Sequence, residues 1–257
     1  MMRSNFRVLI AIASLALAAL ACQAVTGGGD TEVPPTDVVI DNTPEPVATE
    51  APLDTQEPPA TEESGSSDDT LFDDDFREGR SEWGTGTDSD SSVEYLNDAL
   101  NVQVFTGNYV VWTYPNETDY ENIHMEVTVI NNGSDEDAAF GLFCYKQYPI
   151  DDSRYYFAVT LGGEYAIAKA ALAQDDEILT NNDRWETSDL IPKNAASYRL
   201  GADCGNGTLT LYVDGQQIDS VSDSTYTSGS FALFAWSGED VKTVNFSFDD
   251  FVMTELP

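Results

Sequence analysis

From Leu71 onward the chain keeps returning to one pattern, short runs in which apolar and polar residues alternate one by one. "NIHMEVTVI" sets Met125, Val127 and Val129 against His124, Glu126 and Thr128. "DALNVQVF" repeats the pattern with Leu100, Val102 and Val104, and "RYYFAVTL" with Tyr155, Phe157, Val159 and Leu161. A strand turns successive side chains to opposite faces, so each run buries one face and wets the other, whereas a helix would scatter the same apolar residues around its cylinder. "GTLTLYVDGQQI" adds Leu209, Leu211 and Val213, then Asp214-Gly215, a pair suited to the left-handed backbone of a two-residue hairpin turn. "GSFALFAW" and "KTVNFSFDDFVM" close the chain. The pattern predicts about twelve strands and no helix, hence an all-β antiparallel sandwich or barrel. The one rival helix, "AKAALAQDDEI", is rich in Ala but continues "EYAI", and is read as a strand entering a loop.

The N-terminal residues have a different character. "MMRSNFR" carries Arg3 and Arg7 and no acid, and an apolar stretch from Val8 to Ala21 follows. At roughly 1.5 Å of rise per residue this stretch is too short to cross a hydrocarbon core of about 30 Å, and it fits a secretory leader, residues 1–21. Its exit, Ala19-Leu20-Ala21-Cys22, resembles a bacterial lipobox, with Ala19 where Leu is commoner. The resemblance implies that the Cys22 thiol is acylated, and two or more chains on one cysteine are what stable anchoring requires. An ordinary cleaved leader that happens to end beside a cysteine is the alternative. Residues 22–70 are then a tether rich in Thr, Pro, Glu, Asp, Gly and Ser, with no Lys or Arg between Arg7 and Arg77. Such a composition cannot bury enough apolar surface to offset chain entropy, and like charges and prolines keep it extended. The expected location is the cell surface, on the outer face of a membrane.

Residues 71–257 are long enough for one domain with a sizeable core. The full chain carries a formal net charge of −35. A surface so acidic repels nucleic acid and anionic headgroups, so no nucleic-acid partner is expected, while neutral glycans, cations and basic partners are compatible with it. Beyond Cys22 there are two cysteines, Cys144 and Cys204, each on the apolar face of a strand ("AAFGLFCYK", "SYRLGADCG"). In an exported domain this parity predicts a disulfide between them, two reduced and buried thiols being the alternative.

The order of "LFDDDF" with Trp83 soon after, "FGLFCYKQY", "SRYYFAVTLGGEYAIAK", "YRLGADCGNGTLTLYVDGQQI", "SGSFALFAW" and "FSFDDFVM" resembles the concanavalin A-like jelly rolls. Within that superfamily it is most similar to the laminin G-like and 3-keto-disaccharide-hydrolase-like domains of bacterial surface lipoproteins. The resemblance implies a two-sheet jelly roll whose first and last strands lie side by side.

Two sets of side chains are candidate sites. Alternation gives Asp74 and Asp250 the same inward parity as Phe72, Phe76, Phe246 and Phe248. Two carboxylates brought together repel unless a proton, a cation or backbone donors intervene, so a structural calcium is one candidate and turn capping the other. Parity opposite the core assigns Trp112, Tyr145, Tyr156, Arg199 and Trp236 to an exposed sheet face, where ring faces could stack on the apolar faces of pyranoses. For any single one of these the alternative is a core position. Catalytic motifs are not found. The only histidine, His124, has no nearby Cys, the Glu-x-Asp-x-x-Glu strand of laminarinase-like enzymes is missing, and no phosphate-binding glycine loop opens a helix. The expectation is a lipid-anchored binding module for carbohydrate. The alternatives are a glycoside-processing hydrolase of the 3-keto-disaccharide type and a structural adhesion or envelope protein without a small ligand.

Overall fold

A computed structural model describes residues 69–77, 83–149, 153–239 and 244–257. The leader, Cys22 and all but the last two residues of the tether lie outside these residues. Those described form sixteen strands: β1 (Thr70–Asp74), β2 (Gly86–Thr87), β3 (Ser91–Leu96), β4 (Ala99–Val104), β5 (Val110–Thr113), β6 (Ile123–Asn131), β7 (Ala139–Lys146), β8 (Arg154–Thr160), β9 (Glu164–Ala170), β10 (Glu177–Ile178), β11 (Glu186–Thr187), β12 (Ser197–Gly205), β13 (Thr208–Val213), β14 (Gln216–Ser222), β15 (Ser230–Trp236) and β16 (Val244–Glu255). The count exceeds the twelve expected partly because β2, β10 and β11 are two residues long, too short to show alternation.

All pairings are antiparallel, and the strands divide into two sheets. One runs β14-β13-β12-β6-β16-β4-β3-β2, with β1 also on β16, and the other runs β10-β9-β8-β7-β15-β5, with β11 also on β9. The first and last strands are therefore neighbours: β16 pairs with β4 along Val244–Phe248 and with β1 along Phe251–Thr254. The turn chemistry explains the hairpins. Asn97-Asp98, Asn206-Gly207 and Asp214-Gly215 all hold positive φ and join β3 to β4, β12 to β13 and β13 to β14. Two successive left-handed residues match the twist of paired strands, and Asn, Asp and Gly accept that backbone with least strain.

The alternation read from the sequence forms the core. Leu100 and Val102 of β4, Met125 and Val127 of β6, and Phe246 and Phe248 of β16 meet Phe140 and Leu142 of β7, Phe157 of β8 and Leu233 of β15, all buried in one cluster. Each such side chain contributes about 1.5–3 kcal/mol on removal from water. Cys144 of β7 and Cys204 of β12 lie inside this cluster and are bonded to each other, with Cα atoms 6.7 Å apart. The disulfide joins the two sheets through the core, near one end of the sandwich.

The Asp74–Asp250 expectation needs correction. Asp74 is buried as its parity requires, but its carboxylate accepts from the Phe76 N–H at 2.7 Å and the Trp83 indole N–H at 2.9 Å. It ties the end of β1 to Trp83, which packs among Phe72, Phe76, Phe231 and Phe251. Asp250 points out. The register of β16 against β6 shifts between Asp249 and Val252, and Asp250 takes φ +47, so the strand bulges and the parity beyond it reverses. Among the described residues no group of three or more His, Cys, Asp or Glu is placed to hold a metal ion, and the calcium expectation has no site there.

Candidate functional site

The seven-stranded sheet carries a second apolar cluster on the face turned away from the core. Residues at odd positions of β7 and even positions of β8 and β15 supply it: Phe143, Ala158, Ala232 and Phe234 are buried there, with Val110, Trp112, Tyr114, Tyr156, Trp185 and Trp236 packed around them. A sheet whose outer face met only water would be polar at these positions. Here it is paved with rings. Phe143 and Phe234 stack with centroids 4.7 Å apart, and Tyr156 meets Phe234 edge-on at 6.2 Å. Gly141 makes this arrangement possible, because a Cβ there would overlap the Phe234 ring and the Phe157 carbonyl oxygen. The absent side chain lets Phe234 lie across its neighbouring strand.

Two cations rest on these rings. The Arg154 guanidinium lies 4.3 Å from the centroid of Phe143 and 5.8 Å from that of Trp112, and the Lys146 ammonium lies 4.1 Å from that of Tyr114. Such placements are favourable because the ring face is electron-rich. The Tyr156 hydroxyl is held above its usual pKa, first by burial and then by the Asp176 carboxylate, with Arg154 opposing. Tyr156 thus stays a neutral donor and acceptor, and Arg154, Tyr156 and Asp176 form a polar group in an aromatic surround.

The rim comes from the segment between β9 and β12. Its short strands β10 and β11 both add to β9, at Ala168–Lys169 and Glu164–Tyr165. Between them Asn181, Asn182 and Asp183 all hold positive φ, residue types that tolerate the left-handed region. The Thr180 carbonyl accepts from the N–H of Asp183 at 3.1 Å and of Arg184 at 3.3 Å. This tight turn delivers Trp185 to the sheet, where it stacks on Trp236 with centroids 6.1 Å apart and planes 25° from parallel.

A cavity of about 280 Å³ results, lined by Val110, Ala139, Phe143, Arg154, Tyr156, Ala158, Asp176, Trp185, Phe234 and Trp236. A second, of about 390 Å³, is lined by Asp137, Thr160, Glu164, Trp185, Trp236, Gly238 and Glu239. Aromatic walls with a few convergent polar groups are the usual makeup of a small-molecule site.

Of the five residues assigned to an exposed face, the structure brings together Trp112, Tyr156 and Trp236. It places the other two elsewhere. Tyr145 lies in the core: the register of β7 against β15 shifts beside it, it takes φ +52, and its hydroxyl donates to the Cys204 carbonyl at 2.7 Å and accepts from the Asn122 N–H at 3.0 Å. Arg199 faces outward as expected, but from β12 of the other sheet. There it donates to Glu126 at 3.1 Å, Thr128 at 3.1 Å and the Asp250 carbonyl at 2.7 Å. Sequence reading missed Trp185, Phe143, Phe234, Arg154 and Asp176. Phe143 and Phe234 alternate against core residues in their strands and were accessible to the same parity rule. Trp185 and Asp176 lie in polar loop sequence with no period to read.

No protein-family model matches the sequence, and no curated protein matches it. Solved structures do resemble the fold. The carbohydrate-binding module CBM66 from Bacillus subtilis superposes with a TM-score of 0.53 at 12% identity, covering 68% of this chain and 96% of that one. A Bacillus subtilis protein of unknown function with a galectin-like fold gives 0.52 at 10% identity, over 73% and 96%. The GH43 BlXynB protein from Bacillus licheniformis gives 0.52 at 14% identity, over 71% of this chain and 39% of that one. At these identities the likeness establishes the fold alone, an antiparallel two-sheet β-sandwich.

Proposed function

We propose that this domain binds carbohydrate, without cleaving it, on the outer face of its seven-stranded sheet. One observation carries the reading: Trp112, Phe143, Tyr156, Trp185, Phe234 and Trp236 are gathered on that face around a cavity that also holds Arg154 and Asp176. Ring faces offer C–H surfaces of a sugar an apolar partner, while a guanidinium donates to, and a carboxylate accepts from, its hydroxyls. The kinship of fold with a carbohydrate-binding module is consistent with this use. A glycan array tests it. Wild-type protein is expected to label a subset of glycans, and Trp236→Ala to lose at least about tenfold in affinity for them, as removal of a central aromatic anchor does. Silence of a folded wild-type protein on the array rejects the reading and favours a structural envelope role. Sugar products released from the bound glycans would instead make the protein a hydrolase.

The proposal extends to location. The leader-like N-terminus and lipobox-like Cys22 support a place on the outside of a membrane, with the domain held by acyl chains at the end of an acidic tether. Cys22→Ser is expected to move the protein from the membrane fraction to the medium, and its retention in the membrane would overturn the anchor.

A further inference from the structure

Resting on the carbohydrate reading, we infer that the site takes a linear glycan along its length, with successive sugar units on the two sides of the Trp185–Trp236 pair. The two cavities share these indoles as a common wall, and only these two residues line both. Stacked 25° from parallel, the rings act as one partition. Each cavity, at about 280 and 390 Å³, is near the lower bound of about 300 Å³ for small-molecule pockets, so each suits one or two sugar rings and neither an oligosaccharide.

The chemistry of the two sides differs. The first is floored by the buried Phe143, Ala158 and Phe234, and its half-buried Tyr156, Trp185 and Trp236 rings offer surface for stacking, with Arg154 and Asp176 in the same lining. The second is lined by Thr160 and by Asp137, Glu164 and Glu239, and offers acceptors for sugar hydroxyls. A single sugar can use one side only. A linked pair straddling the indoles uses both, and the second unit binds as an intramolecular event at high effective concentration. A site built for a chain end would close around one unit; here the partition has space on both sides.

Malto-, cello-, laminari- and xylo-oligosaccharide ladders of one to six units, titrated calorimetrically into the full chain, test this. In at least one ladder affinity is expected to climb about tenfold or more from one to three units and then level off. Glu164→Trp, which fills the second cavity from an exposed position, is expected to flatten that climb. A ladder that binds equally at every length overturns the inference, as does an unchanged climb in Glu164→Trp. Silence on all four ladders, with branched or terminal glycans captured on the array, overturns it while leaving carbohydrate binding in place. Silence on ladders and array together removes both.

Discussion

The hydroxyl of Tyr145 donates a 2.7 Å hydrogen bond to the carbonyl of Cys204, the residue to which its chain neighbour Cys144 is disulfide-bonded. Strands β7 and β12 of opposite sheets are thus joined twice at one place, once covalently and once by a buried phenol. The same hydroxyl receives the Asn122 N–H just before β6, so one side chain organises three segments.

That junction is expected to dominate stability. The bond closes a loop across a sequence separation of 60 residues, for which the chain-entropy account gives about 4 kcal/mol. Cys144→Ala with Cys204→Ala, or reduction of the wild type, is expected to lower the unfolding free energy by that order in urea titrations. An unchanged midpoint would show that the disulfide adds nothing to what apolar packing and the Tyr145 hydroxyl supply.

Gly141 is expected to be intolerant of any side chain. A methyl group there overlaps both a ring and a backbone oxygen, and only the ring can swing away. Gly141→Ala is expected to cost about 1–3 kcal/mol of stability and to displace Phe234 from the floor of the cavity. Loss of glycan affinity exceeding the loss of thermal stability, measured by titration beside calorimetry, would assign the effect to the displaced ring.

His124 links pH to stability on the opposite sheet. Hydrogen bonding to Asp203, 2.6 Å away, and then to Glu126, 3.4 Å away, raises the imidazole pKa to about 9. The Tyr212 hydroxyl donates to the second oxygen of Asp203 at 2.8 Å, and Arg199 faces Glu126, so the group forms a ladder across β13, β12 and β6. Because the folded pKa exceeds the unfolded one, the protonated ladder stabilises the fold fully below about pH 6.5, and that stabilisation fades as pH rises through 9. With the site partly open to solvent, about 1–3 kcal/mol is at stake. Urea unfolding at pH 6 and pH 9.5 should show the loss in wild type and a smaller one in His124→Gln; equal losses in both would dismiss the ladder.

The acid limb is set by Asp223, just after β14. Burial opposes its ionisation, but hydrogen bonds from Lys169, Thr225 and Tyr155 outweigh this and hold its carboxyl well below the usual range. Its contribution is therefore present above about pH 4 and lost as pH falls below that. The carboxylate fixes the segment leading into β15, whose Tyr226 hydroxyl in turn donates to the Ala170 carbonyl at 2.9 Å. Asp223→Asn is expected to cost about 1–3 kcal/mol, because Lys169 keeps Glu177 at 3.0 Å but loses its more buried carboxylate, and to blunt the acid-induced loss seen by circular dichroism.

Alternation made the core legible residue by residue, because a side chain's face in a regular strand depends only on whether its position is odd or even. It failed where a strand stopped being regular. Tyr145 and Asp250 both stand at left-handed backbone positions beside a register shift, and each was assigned to the wrong face for the same reason. Nothing local announces such a bulge, since neither residue is glycine and both runs look continuous. Arg199 illustrates a second limit: parity tells inside from outside, and both sheets have an outside. Trp185 illustrates a third, for its place depends on a turn through Asn181, Asn182 and Asp183 that folds back over β9. That triple of turn-forming residues ahead of a tryptophan was the one signal available.

The pairing of β1 with β16 has a mechanical side. Among the described residues β1 is paired on one edge, by the antiparallel register from Thr70↔Thr254 to Asp74↔Phe251. A pull arriving at Thr70 from the N-terminal side would meet this strand before anything else. Peeling it away would also draw Phe72 from its contacts with Trp83, Phe231 and Phe251, so the first strand works as a knotted cord. Those rings couple the first described strand to the core, so a force on Thr70 has to break their contacts before the strand can leave its sheet.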